Sequence, residues 1–131
     1  MSGSRALLDS NAIIHASNGT IDARKLLAGK DQYFASIITY IEVYAFDFED
    51  QAEKEIVDRI LRNLEIVELS REIADQTIIY RRSKTKKIKL PDAVILASAK
   101  VLGADLITDN YVDFQNVDSS VNLIDLDDLK I

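Results

Sequence analysis

Short apolar runs alternate with longer segments of helical spacing along the whole of this 131-residue chain. The short runs have the length of buried β-strands and read RALL, YFASI, EIVEL, ADLIT and VNLIDL. The segments between them read NAIIHAS, IDARKLLAGK, TYIEVYAF, DQAEKEIVDRILRNL, REIADQTIIYRRSK and PDAVILASAKVLG. Strands that alternate with helices favour a parallel sheet, so we predict one α/β domain, residues 1–131, with a mainly parallel sheet of about five strands.

Several predicted helices carry recognisable end signals. Pro91 opens one helix and Gly103 follows its last turn, the usual placement of these two residues. Ser70 precedes another helix as a plausible cap. Asn18 and Gly19 close the short first helix, and DNYVDF is predicted to be a loop or a single turn.

Composition excludes several classes of protein. The chain has no cysteine, which rules out a disulfide scaffold and thiolate chemistry. Its formal net charge of -6 means that contact with a nucleic acid requires a local basic patch or a bridging cation. No apolar run reaches the length of a membrane span, and the first residues lack the features of a signal peptide. We therefore expect no contact with a membrane and a cytoplasmic location.

Five acidic residues fall where predicted strands end or the next helices begin: Asp9, Glu42, Asp92, Asp109 and Asp113. Open parallel sheets hold their ligands at the carboxyl ends of their strands, so these acids are expected to share one edge of the sheet. Each alone has a simpler explanation. Asp9 would serve as a helix cap, Asp92 as a favourable charge at a helix N-terminus, and the others as solvated surface residues.

A divalent cation explains the acids as a group. Carboxylates brought together repel one another, and each is costly to keep ionised. Mg²⁺ or Mn²⁺ prefers oxygen ligands and would relieve this repulsion. The single histidine, His15, lies among apolar residues, where a structural role is favoured. The acids therefore predict a magnesium or manganese site for phosphate chemistry.

Four motifs occur in order across the chain: LLDSNAII, SIITYIEV, KLPDAVILASAKVLGADLIT and TDNYVDF. Together they resemble the PIN domain, and within it the VapC-like toxins of bacterial and archaeal toxin–antitoxin pairs. The third motif is the most specific, because LPDA is followed by an alanine-rich helix, a glycine and a strand that ends in threonine. The resemblance implies a three-layer α/β/α fold and a homodimeric, metal-dependent endoribonuclease that a cognate antitoxin neutralises. It also implies that water attacks the RNA and leaves a 5′-phosphate and a 3′-hydroxyl.

The resemblance assigns roles to the matching positions. The residues that match the family's first three acids are Asp9, Glu42 and Asp92. Many relatives have their fourth acid at the position of Asn110, whereas here Asp109 lies one residue earlier and Asp113 three residues later. Either would complete the metal ligands, and we favour Asp109 because it directly follows a strand. The polar neighbours that the resemblance places around the acids are Ser10, Asn11, Ser36 and Thr108.

Positive charge is concentrated in RRSKTKKIK, immediately before Asp92. A helix C-terminus accounts for the arginines but not for the later lysines. We therefore predict contacts with RNA phosphates, which give affinity but little sequence choice, from Arg81, Arg82, Lys86, Lys87 and Lys89. An acidic segment of a partner is the alternative occupant.

Aromatic residues cluster on and after the third predicted helix, at Tyr40, Tyr44, Phe46 and Phe48. They form either part of the core or a face that a partner or a second copy covers.

Three other functions are compatible with parts of this pattern. A PIN nuclease of RNA processing would have no antitoxin, and a degenerate PIN module would bind RNA or protein without cleaving it. The displaced fourth acid is the argument for the degenerate module. A flavodoxin-like phosphoacceptor would need a lysine at the end of the last strand, and VNLIDL has none.

Overall fold

The computed structural model describes residues 4–129. Its strands are β1 (Arg5–Leu8), β2 (Gln32–Ser36), β3 (Glu65–Val67), β4 (Asp105–Thr108) and β5 (Leu123–Asp125). Its helices are α1 (Ser10–Ser17), α2 (Ala23–Leu26), α3 (Ile37–Tyr44), α4 (Gln51–Arg62), α5 (Arg71–Arg81), α6 (Leu90–Leu102) and α7 (Tyr111–Phe114). A 3₁₀ turn follows the last strand at Leu126–Leu129. None of these helices is long and apolar enough to cross a bilayer.

All five strands are parallel and lie in the order β3-β2-β1-β4-β5. The chain therefore runs outward from β1 to β3, returns to the middle of the sheet, and continues on the other side with β4. The strand order reverses between β1 and β4, which is where an open parallel sheet leaves a crevice for a ligand. The predicted α/β fold with about five strands is confirmed, and the sheet is entirely parallel over the described residues.

Helices cover both faces of the sheet, because alternate residues of the central strand point to opposite sides. Ala6 and Leu8 pack into a core with α1, α2 and α4. Leu7, between them, packs with Phe34 into a second core against α5 and α6. All three of these β1 residues are fully buried, which explains why this strand is a continuous apolar run. The result is the three-layer α/β/α arrangement.

Helix ends follow the predicted signals with one exception. The hydroxyl of Ser70 accepts a hydrogen bond from the amide of Ile73 at 3.1 Å, and Gly103 ends α6 in the left-handed conformation with φ 64°. The exception is IDARKLLAGK, where only Ala23–Leu26 is helical. Asp22 caps this short helix, and the chain must turn at Gly29, with φ 92°, to enter β2.

Aromatic residues on and just after α3 lie at the surface. Tyr40, Tyr44 and Phe46 expose 43%, 37% and 42% of their area, and Ile41 beside them exposes 57%. Tyr40 and Tyr44 contact each other edge to face, with ring centroids 5.0 Å apart. The sequence left open whether this cluster belongs to the core or to a surface. Tyr40, Tyr44 and Phe46 are at the surface, whereas Phe48 packs partly against the core.

Candidate metal centre

Asp9 lies at the crevice between β1 and β4 and is held there by both neighbouring elements. Its Oδ1 accepts a hydrogen bond from the amide of Ser10 at 2.8 Å, and its Oδ2 accepts one from the hydroxyl of Thr108 at 2.8 Å. Its own amide donates to the carbonyl of Ile107 at 2.9 Å. The residue is 3% exposed. Asp9 therefore caps α1, as one interpretation predicts, but it is also a buried carboxylate fixed at the edge of the sheet.

The charge of Asp9 is not compensated by a cation among residues 4–129. Burial raises the pKa of Asp9 from 3.8 to about 6, although the hydrogen bonds from Thr108 and Ser10 lower it. The negative charges of Asp92 and Asp109 raise it further. Asp105, at the other end of β4, is also buried but pairs with the ammonium of Lys30 at 2.6 Å. The charge of Asp105 is therefore compensated by Lys30, whereas that of Asp9 has no such partner among the described residues.

Asp92 connects the remaining acids to this site. It lies half-buried in the first turn of α6, and burial raises its pKa. The charges of Asp113 and Glu42 raise that pKa further, and the ammonium of Lys89 lowers it. Asp92 therefore experiences the charge of acids from α3 and α7, and its own charge acts on Asp9. The structure thus brings the five predicted acids into one electrostatic group.

Glu42 is exposed on α3 and is oriented by α1. The hydroxyl of Ser10 donates to Glu42 Oε1 at 2.6 Å and also lies 3.4 Å from the hydroxyl of Thr39. Thr39 is fully buried. Sequence reasoning missed Thr39, although it precedes Glu42 by three residues on the same helix and so shares its face.

Asp109 and Asp113 differ in their environments. Asp109 is largely buried, and its Oδ1 has no hydrogen-bond partner among residues 4–129. Its Oδ2 lies 3.4 Å from Nδ1 of His15, an atom that is also buried and has no hydrogen bond within the same residues. Asp113 is exposed on α7. Both acids act on the pKa of a predicted metal ligand, Asp109 on that of Asp9 and Asp113 on that of Asp92.

The donor set fits a hard divalent cation. It consists of carboxylates whose negative charges raise the pKa values of Asp9 and Asp92, and it includes the buried Oδ1 of Asp109, which has no partner in the described part of the chain. No three acidic or histidine side chains of residues 4–129 converge closely enough to chelate an ion as they stand. Binding would therefore require these side chains to move closer together.

The predicted polar neighbours have separate roles. Thr108 holds Asp9, and its hydroxyl also accepts a hydrogen bond from the amide of Asn110 at 2.9 Å. Ser36 is buried and caps α3, with its hydroxyl accepting from the amide of Ile38 at 3.1 Å. Asn11 makes no side-chain hydrogen bond with another described residue. Ser10 and Thr108 therefore orient acids, whereas Ser36 orients the helix that carries Glu42.

The cations of the basic segment fall into two groups. Arg81 donates to the carbonyl of Ile88 at 2.7 Å, and Lys86 donates to two carbonyls near the end of α7. Arg82, Lys87 and Lys89 are exposed. A cleft of about 140 Å³ lies between this segment and two of the acids, and its lining residues are Lys86, Lys87, Ile88, Lys89, Asp92 and Asp113. Of the five predicted phosphate contacts, Arg81 and Lys86 are therefore engaged within the protein.

Comparisons with known proteins give one family. A model described as "PIN domain" matches residues 6–119. A chain of a toxin–antitoxin complex from Klebsiella pneumoniae is 33% identical, with 88% of this chain and 94% of that chain covered and a TM-score of 0.73. No curated protein sequence matches significantly.

Two further structures are similar in fold. A chain of VapBC2 from Rickettsia felis, bound to a DNA fragment from its promoter, is 23% identical, covers 92% of this chain and 98% of that chain, and has a TM-score of 0.77. A chain of DNA-bound VapBC from Salmonella typhimurium is 19% identical, covers 93% and 98%, and has a TM-score of 0.76.

Proposed function

This chain belongs to the PIN domain family, and on that premise we propose that it is a metal-dependent endoribonuclease, a VapC-like toxin that a cognate antitoxin neutralises. The observation that supports this proposal most is Asp9, a buried carboxylate at the crevice between β1 and β4 that no cation of residues 4–129 compensates. The charges of Asp92 and Asp109 act on it. Burial penalises the charged form of this group, and a bound divalent cation would offset that penalty.

The residues that would hold a Mg²⁺ or Mn²⁺ ion are Asp9, Asp92, Asp109 and Asp113, and of the last two Asp109 is favoured as the stronger ligand. When bound, the ion would neutralise charge on the phosphate and make water a stronger acid. Thr108 and Ser10 keep both oxygens of Asp9 in fixed directions. A preorganised first ligand of this kind reduces the reorganisation that binding requires.

Glu42 is suited to accept the proton of the attacking water. Ser10 donates a hydrogen bond to its Oε1, and the residue is exposed, so Oε2 remains available to a water molecule. The water oxygen forms a bond to phosphorus while the bond from phosphorus to the 3′ oxygen breaks. The departing 3′ oxygen takes up a proton, and the products are a 5′-phosphate and a 3′-hydroxyl.

Cleavage of defined RNAs by the purified protein tests the proposal. We expect cleavage that depends on added Mg²⁺ or Mn²⁺ and stops in chelator. Absence of cleavage with either ion would favour the degenerate module that only binds. The Oδ1 of Asp109, which has no hydrogen-bond partner among residues 4–129, favours the nuclease over that module, because it offers a carboxylate oxygen to an ion despite the displaced sequence position. A small upstream reading frame for a DNA-binding antitoxin would separate a toxin from a nuclease of RNA processing.

RNA binding should depend on Lys87 and Lys89, which are exposed and line the cleft beside Asp92. We expect the double variant Lys87→Gln/Lys89→Gln to bind RNA more weakly. The slope of log affinity against log salt should fall by roughly 0.7 for each lost contact with a single strand. Filter binding over a range of salt concentrations measures both quantities.

The matched control for that variant is Arg24→Gln/Lys25→Gln, which removes the same charge from α2 in the opposite helix layer. It should leave the slope unchanged. If both double variants reduce the salt slope equally, Lys87 and Lys89 act only through the overall charge of the protein and do not contact RNA phosphates.

A homodimer is the proposed state of the free protein, with the exposed residues of α3 as its contact face. Tyr40 and Ile41 on α3, and Phe46 two residues after its end, expose large apolar side chains at the surface. Light scattering should show a dimer at micromolar concentration, and Ile41→Glu should shift it to the monomer. A parent protein that stays monomeric well above micromolar concentration, with no partner present, would contradict this.

A further inference from the structure

Lys86 joins two segments that carry different acids. Its ammonium donates hydrogen bonds to the carbonyls of Val112 and Gln115, at the end of α7. An ammonium has three donors, and two of them are used on these backbone groups. Lys86 itself lies in the loop before α6, three residues ahead of the cap of the helix that carries Asp92. Asp113 lies on α7, between the two carbonyls along the chain.

The loop that carries Lys86 is itself fastened to the core. Arg81, at the end of α5, donates to the carbonyl of Ile88 at 2.7 Å, and Ile88 is 5% exposed. The loop is therefore held on one side of Lys86 by α5 and on the other by α6. Hydrogen bonds from a loop that is held in this way can fix the position of a helix or strand that is not stable by itself.

The short helix α7 is such an element. It has four residues and no side-chain hydrogen bond at its N-terminus. A helix of one turn is not stable alone, and the carbonyls at its end need partners. Phe114 anchors it in the core with 1% exposure, and Lys86 supplies the partners for its final carbonyls.

We propose that Lys86 is a positioning residue that holds Asp113 opposite Asp92, while its neighbours Lys87 and Lys89 remain available to RNA. The inference rests on the proposed function for the nature of the site. One basic segment thus contains a brace for the acids and a separate contact for phosphate.

Lys86→Met and Lys87→Met form a matched pair, because each removes one ammonium from adjacent positions and keeps an unbranched stem. Mn²⁺ alone, titrated against the RNA-free protein and followed by the melting temperature, is the first readout. We expect Lys86→Met to bind Mn²⁺ about tenfold more weakly, the size typical of losing a group that supports a ligand. Lys87→Met should bind Mn²⁺ as the parent does. The salt slope of RNA binding should show the reverse pattern, with a fall only in Lys87→Met.

Two further measurements separate a brace from a general structural role. In an Asp113→Asn background, Lys86→Met should cause no additional loss of Mn²⁺ affinity, because the acid that it positions is already gone. Lys86→Arg, which keeps a cation with several donors, should restore most of the affinity.

Amide hydrogen exchange in α7 tests, without a metal, whether Lys86 stabilises this helix. We expect faster exchange at residues 112–115 in Lys86→Met than in the parent, and no change in Lys87→Met. Unchanged exchange, or a fall in salt slope in Lys86→Met equal to that in Lys87→Met, would overturn the inference. A parent that binds no Mn²⁺ and cleaves no RNA would instead overturn the proposed function, and the exchange result would then stand alone as the test of the brace.

Discussion

Asp9→Asn and Asp92→Asn are each expected to abolish RNA cleavage while the fold survives. The amide keeps the shape of the carboxylate but removes the anionic ligand, so the divalent cation is lost or displaced. Asp9 is also the acid whose two oxygens are fixed by Ser10 and Thr108, so no neighbouring side chain can replace it in the same place. Cleavage of a defined RNA in Mn²⁺, together with far-UV circular dichroism, measures activity and fold in the same samples.

The control is Asp75→Asn, which removes an exposed carboxylate from α5 and should leave cleavage unchanged. Asp109→Asn and Asp113→Asn extend the series to the fourth acid. We expect the larger loss from Asp109→Asn, because Asp109 presents a buried oxygen that has no partner among residues 4–129. If Asp9→Asn cleaves RNA as fast as the parent, the nuclease site built on these acids is wrong.

The fold could be predicted because its physical basis is local in the sequence. Strands of a parallel sheet are buried on both faces, so β1 and β4 occur within largely apolar runs. The rule that ligand sites lie at strand ends then places Asp9 and Asp109 at one edge of the sheet from the sequence alone. The prediction was wrong in a short connection, IDARKLLAGK, of which only Ala23–Leu26 is helical. There the need to turn into β2 outweighs helix propensity.

The contacts among the site residues could not be predicted, because they join distant parts of the chain. Nothing in the sequence around His15 indicates that its ring faces Asp109. Likewise, RRSKTKKIK gives no local sign that Lys86 is bonded to α7 while Lys87 is exposed. The sequence shows that the segment is basic, but the position of α7 in the fold determines which lysine forms hydrogen bonds within the protein.

The stability of the protein without metal should change with pH in a way that identifies Asp9. Its pKa is 3.8 in the unfolded chain and about 6 in the folded protein, so between these values the folded state binds more protons. This group therefore contributes stability that is fully present below about pH 4 and lost as the pH rises through 6. The difference corresponds to about 3 kcal/mol of unfolding free energy.

Asp9→Asn lacks this contribution. In chelator, we expect its stability relative to that of the parent to increase as the pH rises from 4 to 7, by up to about 3 kcal/mol. Urea unfolding at several pH values measures the difference, and Asp75→Asn again serves as the control.

Mn²⁺ should stabilise the parent more than Asp9→Asn, because only the parent keeps the full set of ligands. An aspartate that acted only as an ionised helix cap would have a lowered pKa in the folded protein, and the relative stability of Asp9→Asn would then fall as the pH rises from 4 to 7. If the stability of Asp9→Asn relative to the parent does not rise between pH 4 and 7, the pKa of Asp9 is not raised in the folded protein.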